Sequence, residues 1–205
     1  MYVPKHFDLP EVAACHAIIR DHAFASLVTV TAEGLPTATW LPFLLDAGRG
    51  PNGTLLGHMA RANPQWRDFD SGKPVLAMFQ GAHAYISPRW YQAHPSVPTW
   101  NYQVVHAYGT PTLIEDEAAV RALLGRLSQT YEAGAPKPWR MDTLPEAYLA
   151  GMTRAIVAFE IPIDRLIGKA KLSQNRNAAD RAGVVKGLEA EGDAESLAMA
   201  RLIEV

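Results

Sequence analysis

A chain of 205 residues, 48% hydrophobic and 20% charged, can bury one substantial core and is too apolar to remain disordered. Its formal net charge of −2 argues against non-specific wrapping of nucleic acid, and no apolar run approaches the ~18 residues that a membrane span needs. Cys15, the single cysteine, has no partner for an internal disulfide, and MYVPKHFDLPEV lacks the apolar stretch of a signal peptide, so the composition predicts a cytoplasmic protein with no membrane partner.

The first predicted element is a helix. Asp8 is its expected N-cap, Pro10 stands in the first turn, and Val12, Cys15, Ile18 and Ile19 follow at helical spacing. Cys15 lies on that apolar face, where a thiol packs as a small hydrophobe. From Phe24 the period becomes that of strands: FASLVTV, a turn at Glu33-Gly34, and a return through TATWLPFLL predict a hairpin. Gly48, Gly50 and Gly53 match G-x-G-x-x-G in form only, because the strand pattern TLLGHM follows where a dinucleotide site needs a helix. Asn63 and Pro64 then read as N-cap and first residue of a short helix with Trp66 and Phe69 as its apolar contacts. A basic residue at a strand end beside such a helix start is a candidate anion site, which places Arg61 among the phosphate-binding candidates.

Pro74–Gln80 and His83–Ser87 are predicted as two strands paired around Gly81. His83–Tyr102, HAYISPRWYQAHPSVPTWNY, concentrates large rings and three prolines. That mixture suits a rigid aromatic corner and, equally, a wall for a flat, partly polar ligand. Asn101–Gly109 alternates as a strand, Asp116 caps a helix carrying Val120, Leu123, Leu124, Leu127 and Tyr131, and Thr143 with Glu146 forms a capping-box pattern. Ala155, Val157, Phe159 and Ile161 alternate as a last strand, before the segment Lys169–Asn175 and two polar helices. About six strands in the first ~115 residues, joined by short loops, favour an antiparallel barrel over a βαβ sheet.

Few chemical motifs stand out. His58, His83, His94 and His106 are too widely spaced to form a short metal-ligand motif, so no metal is expected. No nucleophile elbow or Walker loop is present. Arg165, Lys169, Lys171, Arg176, Arg181 and Lys186 form a local basic run against Asp180, which reads as a solvated face or as a candidate contact for DNA. In KAKLSQN, Lys171, Ser173, Gln174 and Asn175 group donors suited to a ring edge or a ribityl-phosphate chain.

Four stretches in order, HMARANPQW (58–66), AYISPRWY (84–91), VPTWNY (97–102) and KLSQNR (171–176), resemble the PaiB family of FMN-binding negative transcriptional regulators, and the likeness begins at MYVPKHF. The resemblance implies a mainly β fold with helices, an antiparallel split β-barrel of the FMN-binding, pyridoxamine-phosphate-oxidase-like type. It implies a single domain over residues 1–205 with a helical tail from about 176, a homodimer, and FMN at the subunit interface. Carried over by motif, Arg61 and Asn63 hold the FMN phosphate with His58 close by, Trp100 and Asn101 face the ring system, and Lys171, Ser173 and Gln174 reach the flavin from the C-terminal segment. Related barrels place a basic residue on the second strand. Thr39 and Trp40 stand there in this chain, and Thr39 is retained as a cofactor-binding candidate. The alternative on the same barrel is a flavin-dependent oxidoreductase or a haem-handling enzyme.

Overall fold

The computed structural model describes all residues, Met1–Val205. Its strands are β1 (Asp8–Leu9), β2 (Phe24–Val30), β3 (Pro36–Pro42), β4 (Leu44–Asp46), β5 (Thr54–Ala60), β6 (Val75–Ile86), β7 (Thr99–Gly109), β8 (Thr112–Ile114), β9 (Ile156–Pro162) and β10 (Arg165–Lys171). The helices are α1 (Val12–Asp21), α2 (Glu117–Glu132), α3 (Glu146–Arg154), α4 (Ala178–Glu191) and α5 (Ala194–Ala200), with short 3-10 turns that include Pro64–Ser71 and Pro88–Trp90. The pairings are antiparallel, and the fold is mainly β with helices.

The chain forms two compact units. The first combines Met1–His22, Phe79–His106 and Leu166–Val205, so the helices after residue 176 belong to it, and the second combines Ala23–Met78 with Ala107–Arg165.

In the first unit the strands run in the order β1-β10-β7-β6. Asp8 is a strand residue opposite Lys169, and the cap position of α1 is Glu11, so the expected Asp8 cap is corrected. A second-strand pairing made elsewhere in the chain outweighs a local capping preference, and only the tertiary structure supplies that partner. Cys15, Ile18 and Ile19 are buried as their spacing predicts, whereas Val12, in the first turn, is exposed. Desolvation, followed by the charges of Asp8 and Glu11, pushes the Cys15 thiol up to about 11, which leaves it protonated and unreactive at neutral pH. The core joins Ala82, Ala84 and Ile86 of β6 to Val184, Leu188, Met199 and Ile203. Trp90 packs so closely on α4 that a Cβ at Gly187 would stand 2.3 Å from its ring.

β6 is one strand of 12 residues where two were expected. Gly81 makes no turn. A Cβ there would meet the Gln103 side chain at 3.1 Å, so the glycine serves close approach rather than chain reversal. The strand expected to be last, β9, is followed by β10, whose pattern Arg165–Lys171 is obscured by three cations.

In the second unit β2 pairs with β3 from Phe24↔Pro42 to Val30↔Pro36, and with the start of β6 on its other side. A separate sheet runs β4-β5-β9-β8. The glycine-rich 48–53 segment is the connection between β4 and β5, as the strand pattern after it requires. Helix α2 lays Val120, Leu123 and Leu127 against Leu56 and Ala158, and Asp116 caps it by accepting from the Ala119 amide at 2.8 Å. The capping box at Thr143 does not form. Glu146 pairs with Arg121 of α2 at 2.5 Å and the Thr143 hydroxyl donates to the Arg140 carbonyl.

Candidate functional site

The candidate residues fall into two sets, one in each unit. In the second unit Asn63 does what its sequence position predicts: Oδ1 accepts from the Gln65 amide at 3.0 Å and starts the 3-10 helix. Its other end donates to the Thr39 hydroxyl at 3.0 Å, so the structure brings these two candidates together. Gln65, which sequence reading passed over, is the residue that locks the arrangement. It is buried, and Nε2 reaches the Leu27 carbonyl at 2.9 Å, the Thr37 carbonyl at 3.1 Å and the Thr29 hydroxyl at 3.2 Å, across both strands of the β2–β3 hairpin. No local pattern marks a glutamine for that task, because its partners lie 28 to 38 residues away.

Arg61 is exposed, and its guanidinium is engaged with the chain itself. Nε donates to the Arg154 carbonyl at 2.8 Å and Nη2 to the Ile156 carbonyl at 2.7 Å, which caps the C-terminal end of α3 with positive charge. Nη1 retains its donors. With Trp66, Glu115 and Glu117, Arg61 lines a cleft of about 350 Å³. His58 lines a different cleft, of about 230 Å³, with Pro42, Tyr131, Glu132 and Trp139. Its Nδ1 is buried without a hydrogen-bond partner, and burial holds the imidazole below its ordinary pKa, hence neutral at pH 7.

In the first unit Asn101 of β7 is fully buried, at 0% exposure, and donates from Nδ2 to the hydroxyl of Ser173 at 2.9 Å. Its Oδ1 has no partner. Ser173 is itself 3% exposed and sits at φ 64°, in the left-handed region that a residue with a Cβ rarely occupies. Lys171 donates to the Thr99 hydroxyl, and burial, followed by the nearby Lys169 charge, lowers its pKa. Trp100 presents a half-exposed ring that stacks on His83 at 6.4 Å and meets Tyr85 edge-on at 5.9 Å. Gln174 spends both ends of its amide on the backbone, accepting from the Leu172 amide and donating to the Ala170 carbonyl, each at 2.6 Å. Thus Asn101, Ser173 and Lys171 stand as a polar group around β7 and β10, whereas Gln174 shapes the turn that carries Ser173.

The aromatic corner is anchored from α4. Asp180, buried, accepts from the Gln92 and Ala93 amides at 2.8 and 3.0 Å, and Arg176 lies 4.1 Å above the Tyr91 ring. Neither contact was legible beforehand. The basic run is not one solvated face: Lys169 is buried, Arg176 covers Tyr91, and Arg181 donates to the Arg176 carbonyl at 2.9 Å. There is no group of three or more His, Cys, Asp or Glu side chains placed to hold a metal, and no helix is long and apolar enough to cross a membrane.

Residues 1–165 match the family described as "Putative FMN-binding domain". The chain is 37% identical to the protease synthase and sporulation protein PAI 2 of Bacillus subtilis over 204 residues, covering 100% of this chain and 97% of the relative. It is 29% identical over 241 residues to the uncharacterized protein AN0679 of Emericella nidulans, covering 99% of this chain and 96% of that one. Among solved structures it resembles the flavocytochrome Anf3 of Azotobacter vinelandii, with a TM-score of 0.67 and 16% identity, covering 88% of this chain and 78% of that one. It also resembles the FAD and heme binding protein of Mycobacterium smegmatis, with a TM-score of 0.60 and 18% identity, covering 85% and 78%. At these identities the two structures speak for the fold alone.

Proposed function

Since the chain belongs to the FMN-binding domain family that includes PAI 2 of Bacillus subtilis, with FMN as its cofactor, we propose that it works as an FMN-dependent, PaiB-like homodimeric regulator. The observation that carries the flavin contact is the Asn101–Ser173 pair. It is buried and polar, it holds a non-glycine residue at φ 64°, and it leaves the Asn101 acceptor unpaired. Such strain persists where the surrounding structure over-determines it, and it clusters at ligand clamps. The donor set fits the cofactor. Hydroxyl and amide groups of Ser173 and Asn101 suit the polar edge of an isoalloxazine or its ribityl chain, Lys171 suits an anionic group, and the half-exposed Trp100 ring suits a flat partner. In the second unit Asn63, paired with Thr39, and Arg61, through Nη1, remain the proposed phosphate contacts, while His58, neutral, lines a separate cleft. Gln174 contributes by holding the Ser173 turn.

FMN supplies redox chemistry when bound. The chain's own residues bind and orient it, and the buried Asn101–Ser173 pair fixes the wall it meets. A second reading, a flavin-dependent oxidoreductase, is favoured by the fate of the basic run: Lys169 is buried, Arg176 lies over Tyr91 and Arg181 is bonded to the Arg176 carbonyl, so few cations of the run are free at the surface to neutralise DNA phosphates.

The deciding experiment is a flavin titration of the purified chain by fluorescence. Saturable FMN binding is expected, with a light-scattering mass near twice 22.4 kDa. No flavin binding would overturn the reading, and a monomeric mass at micromolar concentration would remove the dimer. NAD(P)H turnover near or above ~1 s⁻¹ by the loaded protein selects the oxidoreductase. A promoter-DNA shift that survives ~150 mM salt selects the regulator.

A further inference from the structure

We propose that Lys169 and Lys171 together form a binding site for the phosphate group of a small molecule, walled by Tyr2, Phe7 and Tyr102. The two lysines are alternate residues of β10 and so project to the same side of the strand. Lys169 is only 8% exposed, and a lysine is almost never buried that far unless an acid pairs with it. No ion pair forms here, although Asp8 stands opposite Lys169 on β1. The ion pairs of the chain engage Arg49, His83, Arg121, Arg140 and Arg176, and neither lysine.

The groups that the two ammonium groups touch directly are neutral. Lys169 Nζ donates to the Tyr2 carbonyl at 3.2 Å and lies 5.1 Å from the Tyr102 ring and 5.8 Å from the Tyr2 ring. Lys171 Nζ donates to the Thr99 hydroxyl and lies 5.9 Å from the Phe7 ring. An ammonium carries three donors, so each lysine keeps N–H groups beyond the one bond it makes. Thr99 accepts through its oxygen and so retains its own hydrogen to donate. Two like charges, partly desolvated and in no ion pair, oppose one another, and the burial and Lys169 charge that lower the Lys171 pKa express that opposition. A dianionic phosphate removes the repulsion and takes up the spare donors. Phe7 is buried and the Tyr102 ring is half-buried, so on those sides the lysines meet ring surface rather than water, which strengthens a charge-assisted bond. The assignment goes beyond the flavin reading, in which Lys171 alone contributes.

Inorganic phosphate is the probe, with chloride at matched ionic strength as the control. At ten times its Kd, phosphate should raise the melting temperature of the purified chain by about 3–5 °C. Lys171→Met and Lys169→Met should each abolish that rise. In the wild type, reductively methylated with a carbon-13 label, the Lys171 signal should move on phosphate addition and its pKa should rise, a readout that does not depend on a variant folding. An equal rise with chloride, a rise that persists in the double variant, or an unmoved Lys171 signal would overturn the proposal. Repeating the titration with FMN-loaded protein identifies the source. If loaded protein no longer responds and FMN is preferred to riboflavin at least tenfold in the wild type only, the phosphate is the flavin's own. If it still responds, a separate phosphate-bearing ligand occupies the site. Failure of the flavin reading shows separately, as absence of flavin binding while the phosphate response of the flavin-free chain remains.

Discussion

Arg61 Nη2 donates to the carbonyl oxygen of Ile156 at 2.7 Å, and Nε donates to that of Arg154 at 2.8 Å, so the most conspicuous cation of the ARANP motif caps a helix. A guanidinium at a helix C-terminus meets the last unpaired carbonyls and the negative end of the dipole. Arg61→Ala should therefore lower stability by about 1 kcal/mol, read as a shift in the urea midpoint. With Nη1 directed to phosphate, the same change should weaken FMN at least tenfold and riboflavin little. An unchanged ratio of FMN to riboflavin affinity would confine Arg61 to its structural task.

Ser173 and Asn101 act as a pair, and removing the hydroxyl should show it. Ser173→Ala keeps a Cβ at φ 64° and strips Asn101 Nδ2 of its acceptor, beside an Oδ1 that is already unpaired. The expected loss is about 1–3 kcal/mol in stability, with flavin affinity reduced by tenfold or more. Ser173→Gly relieves the backbone strain and should recover part of the stability and none of the affinity. Full affinity in both variants would take this pair out of the cofactor site.

Gly187 is a packing glycine on α4. An added Cβ meets Trp90 ring atoms at 2.3 to 2.6 Å, so Gly187→Ala, which by helix propensity alone should stabilise by roughly 1 kcal/mol, is expected to destabilise by about 1–3 kcal/mol. Gly134, whose Cβ would meet nothing within 4 Å, is the control position. A Gly187→Ala variant as stable as the parent would show that Trp90 moves aside freely.

His58 makes stability depend on pH. Its folded pKa lies below the ordinary value, so between the two values the unfolded chain binds more protons than the folded one, and stability rises with pH. The contribution is complete above about 6.5, the unfolded value, and is lost as the pH falls towards the folded value. His106 shifts in the same direction, through burial and the N-terminal charge, so His58→Gln should reduce the slope below pH 6.5 without removing it. Chemical denaturation at a series of pH values measures this. An unchanged slope would mean that His58 titrates normally.

Sequence alone carried the elements whose cause is local. The β2–β3 hairpin, the Asn63 and Asp116 caps, the apolar faces of α1 and α2, and the loop nature of the 48–53 glycines follow from periodicity, capping chemistry and turn residues within a few positions. The four motifs pointed to the family and its cofactor because four separate stretches match it in order. Tertiary structure decided everything that depends on a partner far along the chain. Asp8 became a strand residue because Lys169 stands opposite it, Gly81 became a mid-strand contact because Gln103 crowds it, and Gln65 became the lock on the hairpin through bonds to Leu27, Thr29 and Thr37. The strain at Ser173, the helix-capping role of Arg61 and the burial of Lys169 outside any ion pair are likewise absent from any local pattern. A side chain's charge and donors are written in the sequence, but what desolvates it and which groups it meets depend on how distant segments fold together.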